Sequence, residues 1–137
     1  MTRPTVAIVD LKALRANFAL VKSLAPQANI IPMVKANAYG HGMVEVCRAL
    51  SHSAPAFGVA SIDEALVLRE AGIKQPILLL EGTFSSDEVE IASDNNFMLM
   101  FENSAQKDAI INASISRPVS VSLGVYTGWH RLGFPPP

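Results

Sequence analysis

Cysteine is almost absent from this 137-residue sequence, which contains Cys47 alone. A single thiol cannot form a disulfide within the chain, so the sequence is typical of a reducing compartment. Cys47 falls in the apolar segment MVEVCRAL, where we expect a semi-buried helix residue rather than a nucleophile. Long hydrophobic runs are also lacking: none approaches the roughly 20 residues that span a bilayer, and the N-terminus has no signal-peptide hydrophobic region. These absences predict a cytoplasmic protein that does not enter a membrane.

An excess of charge of either sign is lacking too. Lysine and arginine number 11 against 12 aspartates and glutamates, which gives a net charge of −1. The basic residues form no run, so a nucleic-acid surface is not expected. The spacing of His41, His52 and His130 is not that of metal ligands, and we expect no metal site. Half of the residues are hydrophobic, enough for about one globular domain with its own core.

What the sequence does contain is a regular alternation of apolar strands and amphipathic helices. TVAIV at residues 5–9 reads as a strand, and further apolar strands begin near residues 30, 56, 76, 97 and 119, with a predicted helix in each gap. Continuous apolar strands that alternate with helices indicate an α/β fold with a parallel sheet. The step between strands is roughly 20 to 26 residues, which suits both doubly wound and barrel folds. Both folds place their chemistry beyond the carboxyl ends of the strands.

Helix boundaries are marked by local residues. Asp10 can cap a helix that carries Leu11, Leu14 and Phe18 on one face, and Pro26 should stop it. Ser61 and Glu64 have the spacing of a capping box for the helix in SIDEALVLREAG.

The stretch VKANAYGHG, residues 34–42, raises the main functional question. Lys35 ends an apolar strand, and a partly desolvated lysine is available as an amine nucleophile. Gly40 and Gly42 would let the backbone approach a ligand closely, and the Tyr39 hydroxyl suits a phosphate. Together these groups suggest pyridoxal phosphate, whose aldehyde reacts with lysine. The alternative is a solvated loop, in which Lys35 and His41 have no chemical role.

Residues 33–42, Met-Val-Lys-Ala-Asn-Ala-Tyr-Gly-His-Gly, closely resemble the cofactor attachment motif of bacterial alanine racemases. Other stretches resemble the same family in order and at similar spacing: LKALRANFALVK, FGVASIDEALVLREAGI, PILLLEG and TGWHRLGF. The resemblance covers essentially the whole chain. It implies a fold-type III pyridoxal phosphate enzyme with a (β/α)₈ barrel and a C-terminal β domain. It further implies a head-to-tail homodimer that interconverts L- and D-alanine for peptidoglycan synthesis.

The resemblance also implies roles for three residues. Lys35 would hold pyridoxal phosphate and then serve as the base or acid on one face of the substrate α-carbon. Tyr39 matches the tyrosine that contacts the cofactor phosphate. Arg131 matches the arginine near the cofactor phenolic oxygen and the substrate carboxylate, a group that guanidinium pairs with well.

Two departures from the family pattern affect this interpretation. The 137 residues hold about five βα units, so we expect residues 1–137 to be the N-terminal part of the barrel domain, without the β domain or the tyrosine that serves the opposite face. Before HRLGF the family usually has Lys-Leu-Asp-Thr-Gly-Met, whereas this sequence has Gly124, Tyr126 and Trp129 in place of the lysine, aspartate and methionine. In many members that lysine is carbamylated and helps to position the arginine.

Two classes of function therefore stay open. The first is the cofactor-binding part of an alanine racemase, with activity below detection in this chain alone. The second is non-enzymatic: a truncated half-barrel that binds the cofactor weakly or associates with another copy, or a cofactor-binding barrel protein without racemase activity. Unpaired strand edges and an uncovered apolar face lead us to expect self-association.

Overall fold

The computed structural model describes residues 4–137 and contains five right-handed helices and four strands among them. In chain order these elements are α1 (Leu11–Leu24), α2 (Met43–Leu50), β1 (Phe57–Val59), α3 (Ile62–Glu70), β2 (Ile77–Leu79), α4 (Asp87–Asp94), β3 (Phe97–Phe101), α5 (Ser104–Asn112) and β4 (Ser120–Leu123). A further helical turn, Lys35–Tyr39, lies between α1 and α2 and differs in hand from the others. No helix of residues 4–137 is long and apolar enough to cross a membrane.

The four strands form one parallel sheet in the order β1-β2-β3-β4. Phe57 pairs with Ile77, Ile77 with Phe97, and Leu99 with Val121, so each strand lies beside its sequence neighbour. Every connection contains a helix, which is the usual crossover between parallel strands. The α/β prediction and the helix in each gap are thus confirmed. All carboxyl ends of the strands lie at one edge of the sheet, called here the carboxyl edge.

The expected strand near residue 30 is reduced to a single bridge between Met33 and Gly58. Gly58 donates its N–H to the Pro32 carbonyl at 2.9 Å and accepts the Val34 N–H at 2.8 Å. Pro32 has no N–H of its own, which limits how far a ladder can extend along this segment. A Cβ on Gly58 would collide with the Met33 side chain. The clash falls on the flexible end of Met33, so a larger residue at position 58 would require that side chain to move.

The prediction of a strand at residues 5–9 is wrong for the structure described. The segment has no regular structure, and Val6 and Ile8 are 74% and 88% exposed. A strand needs a neighbour for its backbone N–H and C=O groups, and the described sheet offers none next to this segment. The helix that follows is confirmed: the Asp10 carboxylate accepts the N–H groups of Lys12 and Ala13, and α1 ends at Leu24, before Pro26.

One apolar core lies between the sheet and the helices. Its fully buried side chains come from the strands and from the inner faces of α2, α3 and α4, and they include Phe57, Phe97, Leu68, Val89 and Cys47. α1 contributes Phe18. Cys47 is 0% exposed, which confirms a structural helix residue, and burial raises the pKa of its thiol to about 12.

The buried thiol predicts how the folded chain reacts with an aromatic disulfide reagent. Because a raised pKa leaves almost no thiolate at neutral pH, and because the thiolate is the nucleophile, Cys47 should react only when the core opens. We expect a slow reaction in native buffer, at a rate set by opening of the core, and immediate reaction in denaturant. Complete reaction of the native chain at the rate of a free thiol would contradict the packing of α2 described here.

Candidate active site

Lys35 lies at the carboxyl edge of the sheet, directly after the bridge that joins Met33 to Gly58. Its side chain is half-buried. Among residues 4–137 the structure contains one salt bridge, between Lys107 and Asp108, so no carboxylate lies within 4 Å of the Lys35 amine. The prediction that Lys35 ends a strand is wrong in detail, because a single bridge at Met33 replaces that strand. The Lys35 amine is not tied up in an ion pair among the described residues.

The backbone after Lys35 forms a left-handed turn. Ala36, Asn37, Ala38 and Tyr39 have φ values of 50°, 55°, 54° and 53°. This conformation costs about 1–2 kcal/mol for each residue with a Cβ. Several such residues in succession persist only where surrounding contacts determine them, and such strain is typical of functional sites.

Hydrogen bonds close the turn from within. Ala38 donates its N–H to the Val34 carbonyl at 2.7 Å, and Gly40 and Gly42 donate theirs to Asn37 at 3.1 and 3.0 Å. The Asn37 side-chain oxygen accepts the Met43 N–H at 2.8 Å, which satisfies a free donor at the start of α2. The turn and α2 therefore form one connected unit.

The two glycines of the motif have a conformational role. Gly40 and Gly42 have φ values of 87° and 88°. No atom outside the neighbouring residues of the turn lies within 4 Å of a Cβ built on Gly40, so packing within the chain does not require a glycine there. Positive φ, which carries the chain out of the left-handed turn and into α2, explains both glycines.

His41 packs back onto the turn. Its Nδ1 lies 3.0 Å from the Ala38 carbonyl and 3.2 Å from the Tyr39 carbonyl. Because both neighbours are acceptors, Nδ1 must carry the proton. The imidazole is thus a side-chain brace of the turn, a role that the sequence analysis did not foresee.

Glu64, in the first turn of α3, reaches the same turn from outside. Its Oε1 accepts the Ala36 N–H at 2.7 Å, and its Oε2 accepts the Ala60 N–H at 2.9 Å. The capping-box prediction is wrong in its details. Ser61 occupies the N-cap, but its side chain caps no N–H, and Glu64 bonds Ala60 rather than Ser61. The carboxylate instead joins the end of β1 to the residue after Lys35.

Tyr39 belongs to the left-handed turn and is 61% exposed. Its position four residues after Lys35 places both side chains on one short, hydrogen-bonded segment. The donor set suits a phosphate-bearing aldehyde, since an unpaired amine can react with the aldehyde and an exposed phenol can donate to the phosphate. Lys35 and Tyr39 therefore fit pyridoxal phosphate.

Arg131 lies at the other side of the carboxyl edge, after β4. Its guanidinium carbon stacks 4.8 Å from the centre of the exposed Trp129 ring, a cation–π contact. Arg131 lines a cavity with Glu81, Glu102 and Tyr126 that includes neither Lys35 nor Tyr39. The described residues thus place Arg131 at the expected edge without bringing it to Lys35.

Glu102 fills the space beside Gly124. A Cβ on Gly124 would lie 2.8 Å from the Glu102 Cγ, so a larger residue at position 124 would displace this side chain. Burial, and next the charge of Glu81, raise the pKa of Glu102, while Arg131 acts in the opposite direction. Gly124, which stands where the family usually has lysine, therefore lies beside the Glu102 carboxylate. The sequence alone did not indicate this neighbour.

Comparison with known proteins gives consistent matches along the chain. The family model described as "Alanine racemase, N-terminal domain" matches residues 9–137. An alanine racemase of Chromohalobacter salexigens is 45% identical over 136 residues, which cover 99% of this chain and 37% of that protein. A catabolic alanine racemase of Pseudomonas aeruginosa is 46% identical over 134 residues, 98% of this chain and 37% of that protein.

A solved structure agrees. The crystal structure of the biosynthetic alanine racemase from Pseudomonas aeruginosa matches with a TM-score of 0.92 and 43% identity, over 98% of this chain and 38% of that one. The parallel sheet described above thus corresponds to the N-terminal part of the barrel in that protein. The chain spans 37% to 38% of the length of these relatives.

The left-handed turn predicts an unusual response to glycine. Ala36→Gly removes the Cβ that makes the left-handed turn costly, about 1–2 kcal/mol, and this offsets the entropy cost of glycine, roughly 0.5–1 kcal/mol. The free energy of unfolding in urea should be unchanged or slightly raised. The matched control is Ala16→Gly on the exposed surface of α1, which should lower it by about 1 kcal/mol. Equal losses in both variants would mean that residue 36 does not have a positive φ.

Proposed function

The chain belongs to the alanine racemase family, and from that membership we propose that it forms the cofactor-binding part of an enzyme that interconverts L- and D-alanine. One observation carries the proposal. Lys35 follows the bridge to β1 as a half-buried, unpaired amine, and a braced left-handed turn fixes the backbone after it. Backbone strain held by this many contacts is typical of a site where a side chain must be positioned before its ligand arrives.

Lys35 has two tasks in this proposal. Its amine would hold pyridoxal phosphate, and it would accept or donate a proton on one face of the substrate α-carbon. When bound, the cofactor supplies the electron-withdrawing ring that makes the α-proton acidic enough to remove.

Tyr39 and Arg131 are proposed to bind anions. The Tyr39 hydroxyl donates a hydrogen bond to the cofactor phosphate, supported by its exposure and its place in the same turn as Lys35. The Arg131 guanidinium binds the substrate carboxylate. It stacks on the Trp129 ring, which leaves the N–H groups at the edge of the guanidinium for a paired contact with a carboxylate.

A non-catalytic alternative is favoured by one specific observation. The cavity that Arg131 lines does not include Lys35, so the described residues do not by themselves unite cofactor attachment with carboxylate binding. In this alternative the chain binds pyridoxal phosphate through Lys35 without turning over an amino acid.

We also propose that this chain associates with a second copy. Support comes from β4, whose four residues are all exposed, including Val121 and Leu123 at 46% and 54%. Such apolar side chains on a strand with a free edge favour association. In this proposal the partners of the chain are the alanine substrate and a second copy of the same chain.

The attachment role predicts one covalent site. With pyridoxal phosphate added, the parent chain should show the absorption band of a lysine adduct, and borohydride reduction should leave the label on the peptide that contains Lys35. Lys35→Ala should lose both, because no other amine lies in the motif. Lys22→Ala, an exposed lysine of α1, is the control and should keep both. A reduced adduct that maps to Lys12 or Lys22 would sink the assignment.

The need for a proton donor on the second face of the substrate predicts the activity of the isolated chain. Racemisation needs a proton donor on each face, and Lys35 can serve only one. Tyr126 lies in the Arg131 cavity, its ring centre 4.6 Å from that of His130, away from Lys35. Loss of one acid–base group typically costs 10²- to 10⁴-fold, so a coupled D-alanine assay should show no turnover. Turnover near the rates of full-length relatives, abolished by Lys35→Ala, would show instead that a second copy supplies the missing base.

A further inference from the structure

The three helices that follow β1, β2 and β3 each have the same local hydrogen bond at their first turn. A side-chain oxygen accepts the backbone N–H of the residue four positions earlier, where the preceding segment ends. Glu64 accepts from Ala60 at 2.9 Å, Glu88 from Phe84 at 2.8 Å, and Gln106 from Glu102 at 2.9 Å. Because Gln106 makes this bond with an amide oxygen, a single neutral acceptor is sufficient for it.

Glu64 differs from the other two in using its second oxygen as an acceptor. Its Oε1 accepts the Ala36 N–H at 2.7 Å, across 28 residues of sequence and outside its own βα unit. Charge-assisted bonds of this length are among the stronger ones in proteins. A glutamine could supply only one acceptor, and its NH₂ group would then face a backbone donor. The second contact therefore requires a carboxylate, and a neutral polar side chain could not make both contacts.

The second contact falls at the point where the hand of the backbone changes. Ala36 is the first residue with positive φ, and Lys35 immediately precedes it. The hydrogen bond therefore holds the peptide group that joins Lys35 to the left-handed turn. The first contact ties the same carboxylate to the end of β1, so the sheet edge fixes the peptide of Lys35 through one side chain.

We propose that Glu64 is a positioning residue for Lys35: its carboxylate bridges the Ala36 and Ala60 N–H groups and thereby holds the Lys35 backbone in the geometry needed for cofactor attachment. This inference rests on the proposed role of Lys35. Glu64 touches neither cofactor nor substrate in it, and acts through the backbone alone.

Glu64→Gln separates the bridge from the local contact. The amide can still accept the Ala60 N–H, as Gln106 does for Glu102, but it cannot also accept the Ala36 N–H. The matched control is Glu88→Gln, the same substitution at the same place in α4, where the carboxylate accepts one N–H only. Glu64→Asp is a second variant, which keeps the charge at the helix N-terminus but is one carbon too short to bridge both donors.

The experiment uses the 137-residue chain and measures amide hydrogen exchange at residues 36 and 60, together with the rate of pyridoxal phosphate attachment mapped to Lys35. In Glu64→Gln we expect exchange at Ala36 to rise about tenfold or more, with exchange at Ala60 unchanged. Attachment at Lys35 should slow about tenfold or more, because small displacements of a reacting group are costly. Glu64→Asp should also slow attachment, and Glu88→Gln should behave as the parent.

Each contrary result has a distinct meaning. Unchanged exchange at Ala36 in Glu64→Gln would overturn the bridge, and unchanged attachment despite faster exchange would overturn the positioning role. Normal attachment in Glu64→Asp would assign the effect to charge at the start of α3 and would also overturn it. A parent chain that attaches no cofactor at Lys35, with Ala36 exchange as expected, would instead refute the proposed function.

Discussion

The left-handed turn at Ala36 to Tyr39 is the constraint on which the proposed site depends. L-amino acids avoid this conformation, so the chain adopts it only because contacts from several directions exclude the alternatives. Backbone bonds and the His41 ring close it from within, the Asn37 side chain ties it to α2, and Glu64 ties its first peptide to β1. Lys35 stands at the boundary between this turn and the sheet. Its backbone is thus fixed on one side by strand pairing and on the other by a turn with few accessible alternatives.

The parallel sheet explains why these contacts can meet. Each βα unit returns the chain to the same edge, so the residues after successive strands become neighbours although they are about 20 residues apart in sequence. Ala36 and Ala60 follow adjacent strand positions, which is why one carboxylate from α3 can bond both. Arg131 follows β4, three strands beyond β1, and the same geometry places it beside Glu81 and Glu102 rather than beside Lys35. The sheet that builds the lysine site therefore also separates it from the arginine.

The sequence was sufficient for the parts of the fold that local rules determine. Apolar runs and capping residues such as Asp10 predicted the helices and four of the strands, because burial and helix ends follow short-range patterns. It was insufficient at residues 5–9, where a strand-like pattern has no neighbour, and at Pro32, which limits pairing to one bridge. The hand of the turn was also missed, since two alanines at positive φ have no local signature. The role of Glu64 depends on a contact across 28 residues, and spacing alone indicated only a helix cap.

The central claim is that a left-handed turn, formed before any ligand binds, presents Lys35 as the point of cofactor attachment. A crystal structure of this chain determined with and without pyridoxal phosphate tests it most directly. The account predicts positive φ at Ala36 to Tyr39 in both states, the Glu64 carboxylate within hydrogen-bond distance of the Ala36 and Ala60 nitrogens, and continuous density from the Lys35 Nζ to the cofactor. A right-handed or extended backbone in the cofactor-free chain, or density that joins the cofactor to a different lysine, would contradict it.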